Sequence, residues 1–317
     1  MSRVPEGSFF PDFFVVGAPR CGTTALCKYL KNHPEICLSR PKETHYFSAI
    51  APALPDLELG THYLDRFFSH RRPGQVVGEG TVTYLYSQQA LESVLRLNPD
   101  ARFIAMVRSP LQMLPSYHEL MLLYGAEDVE DFSEAWALQG ERAEGRRIPR
   151  GCVDPRLLLY ADVGKLGKYV EQLWRVVGKE RSLVIVFDDF VADTRAEYLR
   201  ALDFLGVRDD GRTGFPPAKS SLSYRSGWLH RTFYRHPGSV EALARTLEQR
   251  AREKSRRSTP ILRLRKRLRT ALLGLNIVER RPAPLTPAMR KEIRATLGED
   301  VAQLGRLLGR DLGHWLA

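Results

Sequence analysis

The stretch Gly17-Ala18-Pro19-Arg20-Cys21-Gly22-Thr23-Thr24 has the residue types of an anion cradle. It follows the apolar run Phe13-Phe14-Val15-Val16, which reads as a buried strand. It precedes Leu26, Tyr29 and Leu30 at helical spacing, and Asn32-His33-Pro34 ends that helix. The first N–H groups of a helix lack intrahelical acceptors and carry the positive end of its dipole, so a phosphate or sulfate fits there. Arg20 adds a cation, and Thr23 and Thr24 add hydroxyl donors. The glycines have the separation of the pattern G-x-x-x-x-G-K-[ST], but Thr23 stands where that pattern requires lysine, which argues against a nucleoside triphosphatase.

This loop resembles the 5′-phosphosulfate loop of sulfotransferases that use 3′-phosphoadenosine-5′-phosphosulfate (PAPS), with Arg20 where that family often has lysine. Further on, Lys42-Glu43-Thr44-His45-Tyr46-Phe47 is similar to the Lys-Glu-x-His-Phe-Phe segment of carbohydrate sulfotransferases related to the heparan and bacterial enzymes. A lone Lys-Glu pair is ordinarily a solvated surface pair. The resemblance instead implies that Glu43 is the general base, that Lys42 faces the transferring sulfuryl group, and that His45 belongs with them as a catalytic candidate. Arg108-Ser109-Pro110 with Ser116-Tyr117 is similar to the family's 3′-phosphate motif, Arg-x-Pro followed by Ser-x-Tyr.

The third motif also has a local physical reading. Arg108 closes the apolar run Arg102 to Val107, at the carboxyl end of a strand, where ligands of open α/β sheets collect. Pro110 suits the first turn of the next helix, and Ser116 follows roughly two turns in, so its hydroxyl can meet a phosphate gripped by the Arg108 fork. The implied cofactor-binding set is Arg20, Cys21, Gly22, Thr23, Thr24, Arg108 and Ser116. PAPS is the implied donor and adenosine 3′,5′-bisphosphate (PAP) the product, with no metal. The sequence departs from the family pattern in three places. Gly80 stands where relatives often carry a second lysine, Val82 replaces a proline, and Pro115 falls inside the helix after Arg108, where it is expected to kink it. Glu79 has two readings, a catalytic carboxylate or the partner of a nearby cation.

The elements that must position these groups read as follows. Apolar runs at 13–16, 75–79, 102–107 and 182–187, each followed by a helix or loop, imply a parallel sheet covered on both faces. Helices are expected at 88–97, 163–177 and 195–205, and a last one opens at Thr286-Pro287, a cap followed by proline at the first position. The fold class expected is therefore α/β, a P-loop-like three-layer αβα arrangement with a central parallel sheet plus a helical C-terminal region. It is read as one domain, 1–317, with its core at about 12–207 and a basic loop and helices at about 208–317. Residues 126–150 read as a charged helix with Phe132, Ala135, Trp136 and Leu138 inward and Asp128, Glu130, Asp131 and Glu134 solvated. Asp188 and Asp189, at a strand end, are expected to pair with arginines rather than with a metal.

A net charge of +11 over 317 residues favours anionic partners. Cys21, Cys27, Cys37 and Cys152 lack C-x-x-C spacing, which supports neither a zinc site nor a disulfide framework. The amino terminus has no basic segment followed by a long apolar run, so a soluble, cytoplasmic protein of the bacterial branch is expected. Lys219 and Arg225, in a basic loop, are further candidates for the 3′-phosphate. The arginine-interleaved apolar stripe from Ile261 to Leu275 reads as a helix packed on the domain, with peripheral contact to an anionic membrane as the alternative. The expected reaction is sulfuryl transfer to an acceptor hydroxyl of a carbohydrate, glycolipid or natural product, with no nucleic-acid partner. The rival readings are a P-loop kinase-like enzyme and a non-catalytic basic binding protein.

Overall fold

The computed structural model describes residues 10–49, 63–152, 154–216, 222–224, 277–279 and 282–317. The first unit is β1 (Phe13–Gly17), α1 (Thr23–Lys31) and β2 (Ile36–Leu38), followed by the short α2 (Tyr46–Ala49). The second is β3 (Val76–Gly80), α3 (Gln88–Leu97) and β4 (Arg102–Val107), which leads into α4 (Pro110–Leu123). Then come α5 (Phe132–Ala137), α6 (Gln139–Ala143), α7 (Tyr160–Val163), α8 (Leu166–Val177), β5 (Ser182–Val186), α9 (Phe187–Ala192) and α10 (Thr194–Leu205). Two short strands, β6 (Leu222–Tyr224) and β7 (Ile277–Glu279), pair antiparallel apart from the main sheet, and α11 (Pro287–Leu308) ends the helical series.

The main sheet is five-stranded and wholly parallel, in the order β2-β3-β1-β4-β5. Its centre is β1, buried along its whole length, because every residue from Phe13 to Val16 is apolar and has strands on both sides. The chain leaves β1 toward one edge and leaves β3 toward the other. Right-handed crossovers in opposite directions place helices on opposite faces. On one face Tyr29 of α1 packs against Phe190 of α9 and against Phe215, which also meets Tyr198 of α10. On the other, α8 packs against α3 and α11.

Capping fixes where these helices start. Ser87 accepts from the Ala90 N–H at the head of α3, Asp193 from Ala196 at α10, and Thr286 from Met289 at α11, where Pro287 takes the first position as expected. The buried Asp300 of α11 caps a different helix: its two carboxylate oxygens accept from the N–H groups of Gly167 and Lys168, at 2.8 and 2.9 Å, at the start of α8. That contact docks the C-terminal helix onto the sheet's cover.

Several elements differ from the sequence reading. β2 was not expected, since three apolar residues after Pro34 give no periodicity to detect; it forms because β3 offers a free edge. The charged helix over 126–150 is two short helices, α5 and α6. Inside it, Glu127 and Arg142 form a fully buried bidentate pair at 2.7 Å that also takes the Tyr160 hydroxyl. Like the other expected inward residues, Ala135 and Trp136 are buried or partly so. α4 runs from Pro110 to Leu123 as one helix, with Pro115, the position where a kink is expected, inside it. Asp189 pairs with Arg310 as anticipated, while Asp188 meets His314 and Trp315. Lys219, Arg225 and the 261–275 stripe lie outside the described residues. Among those described, no helix is long and apolar enough to cross a membrane, no group of three or more His, Cys, Asp or Glu side chains could hold a metal, and the four cysteines are free and buried.

Candidate active site

Because all five strands point the same way, the segments that follow them gather at one edge. The loop after β1 lies at its middle, flanked by the segment after β3 and by Arg108 after β4. The Ala18 N–H donates to the Met106 carbonyl at 2.8 Å, which ties the loop to β4. Gly22, at φ 94°, turns the chain into α1, and a Cβ on it would meet Met106 and the Phe187 ring at 3.1 Å. Glycine is required there both for the positive φ and for the close approach. Thr23 is buried and Thr24 exposed. Cys21 is buried, its thiol donating to the Pro19 carbonyl, and burial pushes it up to about 12; it remains a thiol at neutral pH and no nucleophile.

Arg20 joins two motifs that lie far apart in sequence. Its backbone belongs to the loop before α1, while its Nε donates to the Ser116 hydroxyl on α4 at 2.7 Å. Arg108 in turn donates from Nη1 to the Arg20 carbonyl at 3.1 Å and from Nε to Gln112, and its guanidinium lies 4.1 Å from the centroid of the Phe187 ring. Both arginines are held below the ordinary arginine value, chiefly by burial and, for Arg20, next by the like charge of Arg108. A partly buried pair of cations, one of them bonded to a serine hydroxyl, is an arrangement that an anion would stabilise.

Lys42, Glu43 and His45 form the second cluster. The Lys42 ammonium donates to Glu43 Oε1 at 3.0 Å, His45 Nε2 lies 3.5 Å from Glu43 Oε2, and His45 Nδ1 lies 3.3 Å from the Thr83 hydroxyl. With 28% of its side chain exposed, Glu43 is open to a second molecule. Burial lowers the His45 value more than Glu43 raises it, so this imidazole is mainly neutral at pH 7. Lys42 stands above its usual value: burial opposes the charge, but Cys27 and Glu43 outweigh it.

What holds this segment is Glu79, which is completely buried. Its carboxylate accepts from Thr44 Oγ1 at 2.6 Å, from Thr81 Oγ1 and from the Tyr63 hydroxyl. Thr81 also accepts the N–H groups of Thr44 and His45, so the chain on either side of Thr44 is tied to β3. Burial raises the Glu79 value against these hydrogen bonds. Its partners are hydroxyls, so neither of the two readings left open by the sequence describes it: it is internal and structural. Gly80 is also explained, because a Cβ there would lie 2.8 Å from Cys27 Sγ and 3.3 Å from Cε of Lys42. The Lys42 chain crosses the place where a side chain at position 80 would begin.

Thr81, Thr83 and Phe187 were not singled out in the sequence. The signal available for each is its position just beyond the carboxyl end of a strand. Tyr63 carried no such signal, since it reaches Glu79 from a helical stretch at 63–68.

A family model described as "Sulfotransferase domain" matches residues 10–213. The chain belongs to the sulfotransferase family. It is 25% identical over 259 residues to human heparan sulfate glucosamine 3-O-sulfotransferase 6, covering 78% of this chain and 70% of that protein. Mouse carbohydrate sulfotransferase 15 is 23% identical over 246 residues, 62% of this chain and 44% of that protein. The solved sulfotransferase from Alicyclobacillus acidocaldarius has the same fold across 98% of this chain and all of its own length, with a TM-score of 0.64 and 24% identity. The parallel sheet and flanking helices are thus a sulfotransferase fold.

Glu79→Ala leaves buried hydroxyl donors without an acceptor and opens a cavity beneath 42–45. Denaturant unfolding should show a loss of about 2–4 kcal/mol. A change within error of zero would contradict the anchoring role given to this carboxylate.

Proposed function

We propose that this sulfotransferase moves a sulfuryl group from PAPS to an acceptor hydroxyl of a carbohydrate, glycolipid or natural product. The observation that carries the reading is Arg20: its backbone lies in the anion-binding loop and its side chain lies beside Ser116 and Arg108. A donor nucleotide with phosphates at both 5′ and 3′ positions answers to both ends of that arrangement.

In this reading the N–H groups at the head of α1, with Thr23 and Thr24, receive the 5′-phosphosulfate, while Arg108, Ser116 and the Arg20 guanidinium receive the 3′-phosphate. Glu43 takes the acceptor proton, directly or through one water. The acceptor oxygen forms a bond to sulfur as the bond from sulfur to the phosphate oxygen breaks, and PAP leaves with that electron pair. Lys42 lies against Glu43 and meets negative charge developing on the sulfuryl oxygens. With Gly80 in place of a second lysine, Lys42 is the cation this cluster offers. His45, neutral and bonded to Thr83, orients the free side of Glu43. The carbohydrate-like acceptor is supported by the activities for which the relatives are named and by a carboxylate base.

Replacement of Glu43 by Gln preserves shape but removes the base. PAP release in the presence of hydroxyl acceptors should fall by a factor of about 10²–10⁴ while PAP affinity is unchanged; undiminished turnover would remove Glu43 from this role. Arg108→Ala should weaken PAP by about 1.5–3 kcal/mol and leave 5′-AMP nearly unaffected. Equal weakening of the two nucleotides in calorimetric titration would sink the proposed 3′-phosphate contact.

A further inference from the structure

We propose that the C-terminal tail is a staple that positions Arg108 for the 3′-phosphate, with Trp315 closing it. This rests on the reading of Arg108 given above. Trp315, in the short 3-10 turn Gly313–Leu316, is buried and joins the two residues that flank the Arg108 contact. Its backbone carbonyl accepts from the hydroxyl of Ser109, the residue after Arg108, at 2.8 Å. Its indole N–H donates to Asp188, the residue after Phe187, at 2.6 Å. Arg108 lies on the face of Phe187. One tail residue therefore spans the two chain segments whose side chains form the cation–π pair.

Ser109 supports a role beyond packing. It occupies the position before α4 where a serine ordinarily caps its own helix, yet it makes no such cap and is instead turned to the tail. The tail is held outside this point as well. Arg310 makes a bidentate pair with Asp189, and His314 Nε2 lies 3.3 Å from the same Asp188 oxygen that takes the indole. Asp188 also attracts the Arg108 charge. Without the tail, Ser109 and Asp188 would lose their buried partners, and the arginine would gain freedom that binding must then remove. Trp315 and Ser109 are positioning residues: they act through Arg108 and do not touch the nucleotide.

The test compares PAP with 5′-AMP on the full chain. Trp315→Phe keeps the ring and deletes its hydrogen bond to Asp188, and Ser109→Ala deletes the other arm. Each should reduce the ratio of the 5′-AMP to the PAP dissociation constant by about three- to tenfold, with 5′-AMP affinity itself little changed. A fall in melting temperature with that ratio unchanged would show a merely structural tail and overturn the proposal. In the wild-type chain, which needs no variant to fold, amide exchange over residues 310–317 should slow more with PAP than with 5′-AMP. Equal protection by the two would also overturn it. A wild-type chain that does not prefer PAP at all would instead refute the functional reading on which the staple rests.

Discussion

A buried carboxylate needs donors, and in this chain that need organises the reactive edge. Glu79 is withdrawn from water at the end of β3 and collects hydroxyls from Thr44, Thr81 and Tyr63. Thr44 lies between Glu43 and His45, so satisfying Glu79 also sets the backbone that carries both. The exposed carboxylate of Glu43 is held in place because the buried one is fixed. Two glutamates thus stand in opposite surroundings, Glu79 fully buried and Glu43 open to solvent.

The second constraint is close approach of backbone and side chain. Gly22 lets the loop turn against Met106 and Phe187, and Gly80 leaves room for the Lys42 chain to cross β3. Seen as a departure from the family pattern, Gly80 suggests a missing cation. Seen in the fold, it is the reason an existing cation lies beside Glu43. Arg20 similarly serves two regions: its carbonyl takes Arg108, and its guanidinium reaches Ser116. The loop before α1 and the segment from Arg108 to Ser116 are one connected cluster.

Much of this was legible in the sequence where a single physical rule acts locally. The apolar run at 13–16 with glycine after it gave β1 and the turn. Helix α3 appeared at its expected bounds because Ser87 caps it and Asn98-Pro99 follows it. Thr286-Pro287 marked the start of α11 for the same reason. What stayed hidden depends on partners distant in sequence. β2 has only three residues and exists because β3 is beside it. The roles of Glu79, with donors 2, 16 and 35 residues away, and of Glu127, paired 15 residues on with Arg142, cannot be read from neighbours. Trp315 was visible only as the end of a helical region, and its contacts with Ser109 and Asp188 span 206 and 127 residues.

The central claim is that this edge is built for a nucleotide phosphorylated at both 5′ and 3′ positions. Calorimetric titration of the wild-type protein with PAP, beside 5′-ADP and ATP in metal-free buffer, tests it most directly. The account predicts PAP at least about tenfold tighter than either, the worth of one charge-assisted contact to the 3′-phosphate. Equal affinities, or tighter binding of ATP, would contradict it and return the loop before α1 to a different nucleotide chemistry.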